Sequence, residues 1–149
     1  MALDEKQRRG IWEHRRLMSE HLKQRAKYKI SEDIVVPRNQ MRAFSAEFEK
    51  LGQRHAVQTA AFGHAGDGNL HAQILFQTPP VPKLKDQILN ELFELTIRFH
   101  GTISGEHGIG LAKKKYLPLE QSQSLIKLQK TMKQVWDPKN ILNPDKIFL

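Results

Sequence analysis

Apolar residues along this chain recur with two different periods, and the changes of period divide it into elements. Ile11, Met18 and Leu22 fall at helical spacing and predict a helix over residues 4–27, with Arg15 and Ser19 inside the same stripe. A cation on an apolar face is either paired with an anion or snorkels to water along its own stem. Ile34-Val35-Val36 predicts a short strand stopped by Pro37. Met41, Phe44, Phe48 and Leu51 predict a second amphipathic helix over 38–52. Two strand-like runs, 56–63 and 70–77, flank Ala65-Gly66-Asp67-Gly68-Asn69. Beyond the loop Pro79-Pro80-Val81-Pro82, the stripe Leu84, Ile88, Leu92, Leu95 and Phe99 predicts a helix over 83–99. A glycine-rich segment, 101–110, precedes a helix predicted over 118–135 from Leu125, Leu128, Met132 and Val135. Residues 136–149, with Pro138 and Pro144, are expected to form an irregular C-terminal tail. A few strands covered by helices, with an antiparallel hairpin at the centre, define an α+β fold. Three or so strands are few for this many helices, which suggests an incomplete sheet.

Composition narrows the classes. The chain has 149 residues, about one domain's worth, and 39% of them are hydrophobic, enough for a core. Lys and Arg number 24 against 16 Asp and Glu, a formal net charge of +8. The basic residues are spread out, with one short cluster at Lys113-Lys114-Lys115, and no zinc-finger or aromatic–basic pattern interleaves them. The expectation is therefore no nucleic acid, and a solvated surface that attracts small acids. A basic nucleic-acid binder remains the alternative of a different class. The absence of cysteine excludes disulfides, thiolate metal sites, Fe–S clusters and cysteine nucleophiles. No apolar run approaches the roughly 20 residues of a membrane span, and the first residues lack the apolar core of a signal peptide. A cytoplasmic protein is expected, reaching the inner face of a membrane, if at all, through partners.

Chemistry concentrates in two segments. The first is Gly63-His64-Ala65-Gly66-Asp67-Gly68-Asn69-Leu70-His71. Asp-Gly between apolar runs is a hairpin signal, because a type I′ turn needs positive φ at both central residues. With Asp67 and Gly68 in the turn, Gly66 faces Asn69, Ala65 faces Leu70, and His64 faces His71, the last pair with Cβ atoms ~4.5–5.5 Å apart. Two imidazoles side by side suit one divalent ion, and Gln73, two residues beyond His71, points to the same face. The alternative is that these histidines merely fill a polar turn.

The second segment is Gly101-Thr102-Ile103-Ser104-Gly105-Glu106-His107-Gly108-Ile109-Gly110. Its glycines allow close approach of another chain or a flat ligand. Glu106 would complete a His/His/Glu set suited to Zn²⁺ and similar ions. His107 carries an imidazole that can exchange a proton with a bound substrate. The spacing is not a dinucleotide fingerprint. The segment alone is equally a glycine-rich crossing, but together the two segments favour a joint site that a 2-hydroxy carboxylate would chelate.

These residues resemble a known family, the C-terminal region of FAD-linked oxidases and dehydrogenases of the vanillyl-alcohol-oxidase type. Within it the likeness is greatest to the glycolate oxidase D-subunit, D-lactate dehydrogenase and D-2-hydroxyglutarate dehydrogenase branch. It rests on Ile11-Trp12 with Arg15, Glu32-Asp33-Ile34-Val35-Val36-Pro37, GHAGDGNLH at 63–71, SGEHGIG at 104–110 and DPKNILNPDKIF at 137–148. The resemblance implies that His64, His71 and Glu106 hold a divalent metal, zinc or similar, and that His107 is the catalytic base. It implies that Arg15 binds a substrate carboxylate, aided by Ser19, by Lys29 and by Gln73, which stands where an asparagine is usual. It implies FAD as cofactor, bound mainly by a separate domain, with Gly105, Gly108 and Asn143 on the cofactor side.

Members of that family are several hundred residues long. Residues 1–149 are accordingly expected to be the C-terminal part of the cap (substrate) domain, a partial ferredoxin-like unit without an FAD-binding domain. The expected function is the substrate- and metal-binding portion of a 2-hydroxy-acid dehydrogenase, inactive without an FAD-binding partner and prone to self-association. A non-catalytic metal-binding or assembly subunit of a flavoenzyme is the alternative.

Overall fold

The structure, a computed structural model, describes residues 4–148, leaving aside the side chains of Met18, Ser19, Glu20 and Lys23. Helix α1 (Glu5–Arg25) leads into strand β1 (Tyr28–Val35), and a 3-10 turn at Arg38–Gln40 opens helix α2 (Met41–Arg54). Strands β2 (Gln58–His64) and β3 (Asn69–Phe76) form a hairpin, followed by helix α3 (Pro82–Arg98). Beyond the glycine-rich loop come a 3-10 turn at Lys114–Tyr116, the one-turn helix α4 (Leu117–Glu120) and helix α5 (Gln123–Trp136). Residues 137–148 contain no helix or strand.

The fold is α+β. Its three strands are antiparallel in the order β1-β3-β2. The succession β1-α2-β2-β3-α3 supplies five of the six elements of a ferredoxin-like βαββαβ unit. Beside β1, where a fourth strand would pair, Val35 and Thr102 form a single bridge, Val35 N donating to Thr102 O at 3.1 Å and Thr102 N to Val35 O at 2.9 Å. That bridge lays the glycine-rich loop along the strand edge.

Strand alternation separates core from site. Ile34, Leu70, Ala72 and Ile74 point to one face and pack against Phe44, Phe48 and Leu51 of α2 and Ile88, Leu92 and Phe93 of α3. Each of the buried leucine, isoleucine and phenylalanine side chains among them contributes about 1.5–3 kcal/mol. The opposite face carries Ser31 and Asp33 of β1, Asn69, His71 and Gln73 of β3, and Phe62 and His64 of β2. Arg15 reaches that face from α1, its guanidinium carbon 5.8 Å from the centre of the Phe62 ring.

Two elements differ from expectation. Strand β1 begins at Tyr28 rather than Ile34, because Lys29, Ser31 and Asp33 are polar for the sake of the second face and so hide the apolar run. The helix predicted over 118–135 is divided at Gln121, and α5 starts afresh where Ser122 Oγ accepts the N–H of Leu125 at 3.3 Å. Its apolar stripe is uncovered: Ile126 is buried, whereas Leu125, Leu128, Met132 and Val135 are exposed.

Candidate functional site

The hairpin turn is wider than Asp-Gly alone predicts. His64 pairs with Asn69 and Phe62 with His71, so Ala65-Gly66-Asp67-Gly68 form a four-residue turn. Gly68 has φ 75° but Asp67 does not enter the positive-φ region, which rules out a type I′ turn at that dipeptide. Gly68 is instead held by Val36, whose N–H donates to its carbonyl at 3.0 Å, and a Cβ at Gly68 would stand 2.1 Å from Val36 O. The register therefore slips by two residues from the expected His64–His71 opposition. A slip of two keeps every side chain on its face. His64 and His71 become diagonal neighbours, with ring centroids 6.0 Å apart.

Glu106 reaches these histidines from the glycine-rich loop. One ligand atom from each of His64, His71 and Glu106 lies within 4.8 Å of the others, and His71 Nε2 stands 3.6 Å from Glu106 Oε1. His107 stacks on His71, centroids 6.0 Å apart at 25°, with its Nε2 4.0 Å from Glu106 Oε1. Burial pushes the His71 imidazole below its ordinary value, against the opposing pull of Glu106 and Asp33. A neutral imidazole is the form that ligates a metal.

The loop is held by groups that sequence reasoning missed. Asp33, fully buried, accepts the N–H of Gly105, Glu106 and His107 on Oδ2 at 2.8, 2.7 and 2.9 Å. Its Oδ1 accepts the Asn69 amide at 2.6 Å. Burial alone would raise the Asp33 carboxyl, but the N–H of His107, the Asn69 amide and the N–H groups of Glu106 and Gly105 hold it far below the ordinary carboxylate range. Lys113 is also buried and donates to the carbonyls of Asp33 at 2.7 Å and Ile103 at 2.6 Å, with Glu32 at 3.5 Å. Glu120 closes the start of the loop by accepting from Thr102 Oγ1 and Ile103 N, both at 2.9 Å. The signal for Asp33 was its place in β1: two residues from Ser31 and Val35, one from Ile34, hence on the histidine face.

The remaining candidate residues divide. Arg15, over Phe62, and Gln73, next to His71 along β3, share the histidine face. Gln73 Nε2 donates to Ser31 Oγ at 2.5 Å, while its buried Oε1 has no partner among the described residues. Lys29 lies on the same face four residues before Asp33, about 13 Å along the strand. Ser19 falls within α1, but its side chain lies outside the described residues. The space that Gly105 leaves is taken by the chain itself, since a Cβ there would meet Asn69 Nδ2 at 2.1 Å. Gly108 adopts φ 77°, and Asn143, in the tail, φ 45°. No hydrogen bond among the described residues joins Asn143 to the histidines.

A family model described as FAD linked oxidases, C-terminal domain, matches residues 1–147. D-lactate dehydrogenase [cytochrome] 1, mitochondrial, of Saccharomyces cerevisiae is 33% identical over 99% of this chain and 26% of its own length. D-2-hydroxyglutarate dehydrogenase of Stutzerimonas stutzeri is 35% identical over 99% of this chain and 33% of its own length. Glycolate oxidase subunit GlcD of Bacillus subtilis is 36% identical over 80% of this chain and 26% of its own length. The chain thus spans a quarter to a third of these relatives. With its family match running almost end to end, this chain belongs to the FAD-linked oxidases, as their C-terminal domain.

Proposed function

We propose that this chain is the substrate- and metal-binding portion of an FAD- and divalent-metal-dependent 2-hydroxy-acid dehydrogenase or oxidase, of the glycolate, D-lactate or D-2-hydroxyglutarate type. The observation that carries the reading is the convergence of His64, His71 and Glu106 within 4.8 Å, with His107 stacked beside them. Ligand bonds of about 2.0–2.2 Å in a tetrahedron separate donor atoms by about 3.4 Å. The His71–Glu106 separation of 3.6 Å is already close to that, and rotation of the exposed His64 closes the rest. Two imidazoles and a carboxylate suit zinc or a similar ion. Bound there, it would supply Lewis-acid polarisation of a chelating hydroxy acid, while a flavin supplies the hydride acceptor.

The chain's own residues then have distinct tasks. His107, its side chain 57% exposed beside the cluster, takes the proton of the substrate hydroxyl. Arg15 pairs with the substrate carboxylate, Gln73 Oε1 accepts from the substrate, and Lys29 lies where a second anionic group would extend. Ser19 is assigned to substrate by resemblance alone. Among the described residues no strand–turn–helix GxGxxG segment occurs, so the flavin is assigned to an FAD-binding domain or subunit, with Gly105, Gly108 and Asn143 toward it. Without that partner the chain is inactive, and the uncovered stripe of α5 drives self-association. No described helix is long and apolar enough to cross a membrane; the partner would set any peripheral membrane contact.

The test combines the chain with a candidate FAD-binding domain and measures oxidation of D-lactate, glycolate and D-2-hydroxyglutarate with a dye acceptor. Turnover that a chelator and His107→Ala both abolish supports the reading. A verified, metal-loaded complex inert toward all three points instead to a non-catalytic metal-binding or assembly subunit. Unchanged metal content in both His64→Ala and His71→Ala removes the proposed ligands.

A further inference from the structure

Glu106 and His107 lie in a loop without regular secondary structure, and their side chains are 56% and 57% exposed. Packing on the side chains therefore does little to aim them; their direction is inherited from the backbone. That backbone is gathered at one point. Three successive N–H groups, of Gly105, Glu106 and His107, converge on Asp33 Oδ2, while Asn69 fixes the other carboxylate oxygen. Gly105 makes the approach possible, since a Cβ there would also stand 2.8 Å from Asp33 Oδ1.

Asp33 is, moreover, the register partner of His71 across the β1–β3 pair. One rung of the sheet thus delivers His71 through its own side chain and Glu106 through capture of the loop. We propose that Asp33 is a positioning residue for the metal centre, acting through the 105–107 backbone to set Glu106 against His71 and His107 beside both. This inference rests on the metal-binding reading above. Surrounding groups that orient ligands commonly change metal affinity 10–100-fold when removed.

The experiment titrates the 149-residue chain with Zn²⁺ and with Co²⁺, the latter followed by its visible absorption. Asp33→Asn, Glu106→Gln and the double variant are compared with wild type, with metal-free circular dichroism as a control of folding. Asp33→Asn is expected to weaken binding about 10–100-fold and to give the Co²⁺ spectrum of Glu106→Gln. The double variant should bind no more weakly than Glu106→Gln, because the two act through one ligand. Fully additive losses, or an Asp33→Asn variant that binds as wild type does, overturn the proposal while leaving the metal reading intact. Wild type that binds neither ion overturns both. A second arm needs no metal: hydrogen exchange at Gly105, Glu106 and His107 is expected to quicken in Asp33→Asn, and unchanged exchange overturns the proposal. Should Asp33→Asn fail to fold, Asp33→Glu, which keeps the charge but displaces the oxygens, replaces it with the same expected and overturning outcomes.

Discussion

Lys113, just past the end of the glycine-rich loop, buries its ammonium against the carbonyl of Ile103 at 2.6 Å and thereby ties the end of the loop to its start, beside the strand that the loop borders. The same nitrogen donates to Asp33 O at 2.7 Å and lies 3.5 Å from Glu32 Oε2. Glu32 and Asp33, adjacent in β1, thus both hold the loop, Glu32 through Lys113 and Asp33 through the N–H groups of residues 105–107 that its carboxylate gathers. Lys113→Met would leave two buried carbonyls without a donor and a half-buried carboxylate without its cation. Breaking one side of a buried pair costs about 3–5 kcal/mol. Urea unfolding should show that loss as a lowered midpoint; a midpoint equal to wild type would mean the clamp contributes nothing.

Glu32 gives a pH signature whose sign follows from its surroundings. Burial raises its carboxyl above the ordinary value, and the Lys113 charge only partly offsets this. Above the unfolded carboxylate value of about 4.3, the folded chain therefore holds this proton more tightly than the unfolded chain does. The Glu32 contribution to stability is fullest below that value and declines as pH rises through the folded one. Comparing wild type with Glu32→Gln removes the other acids from view, since they titrate in both. The stability of wild type relative to the variant is expected to fall from pH 4 upward. A relative stability that stays flat, or rises, contradicts the assignment.

The division between what the residues announce and what they conceal has a physical basis. The helices and the apolar half of the sheet were legible because Phe44, Phe48 and Leu51, or Ile88 and Leu92, repeat at the period of the element that buries them. The histidine pair and Glu-His were legible as chemistry because titratable residues among glycines have few structural reasons to be there. Their pairing was read two residues out: the choice between a two-residue and a four-residue turn is made by Val36, which holds Gly68 from outside the hairpin. Asp33 stayed hidden because its partners are backbone N–H groups more than 70 residues away, and backbone donors carry no residue signature. The length of β1 was hidden for a related reason, its second face being polar in the service of the site.

Two glycines in the chemistry-bearing segments should respond differently to the same substitution. A Cβ at Gly105 would meet Asn69 Nδ2 at 2.1 Å, a distance that real side chains do not reach, whereas a Cβ at Gly66 meets nothing within 4 Å. Gly105→Ala must push the loop off Asp33, costing about 2 kcal/mol or more and weakening metal binding with it. Gly66→Ala should leave both within error. Thermal unfolding and Zn²⁺ titration of the two variants check this. Equal behaviour of the pair would show that the close approach at Gly105 is not maintained in solution.

The outer surface of α5 makes the final prediction. Leu128 and Met132 are each 56% exposed, Val135 73% and Trp136 82%, on one stretch of helix, and Ile141 and Leu142 of the tail are exposed as well. Apolar surface of this kind is driven out of water by association. The stripe repeats at three- and four-residue intervals, as a helix face made for burial does, yet Ile126 is the one α5 residue that the rest of the fold buries. Leu128→Lys with Val135→Lys replaces two exposed methyl-rich side chains by cations at positions that touch little, so the fold should be retained. Sedimentation velocity across a dilution series is expected to show wild type associating with itself and the double variant remaining monomeric. Wild type that sediments as a monomer throughout would remove α5 as a sticky face and leave its apolar stripe without an explanation in water.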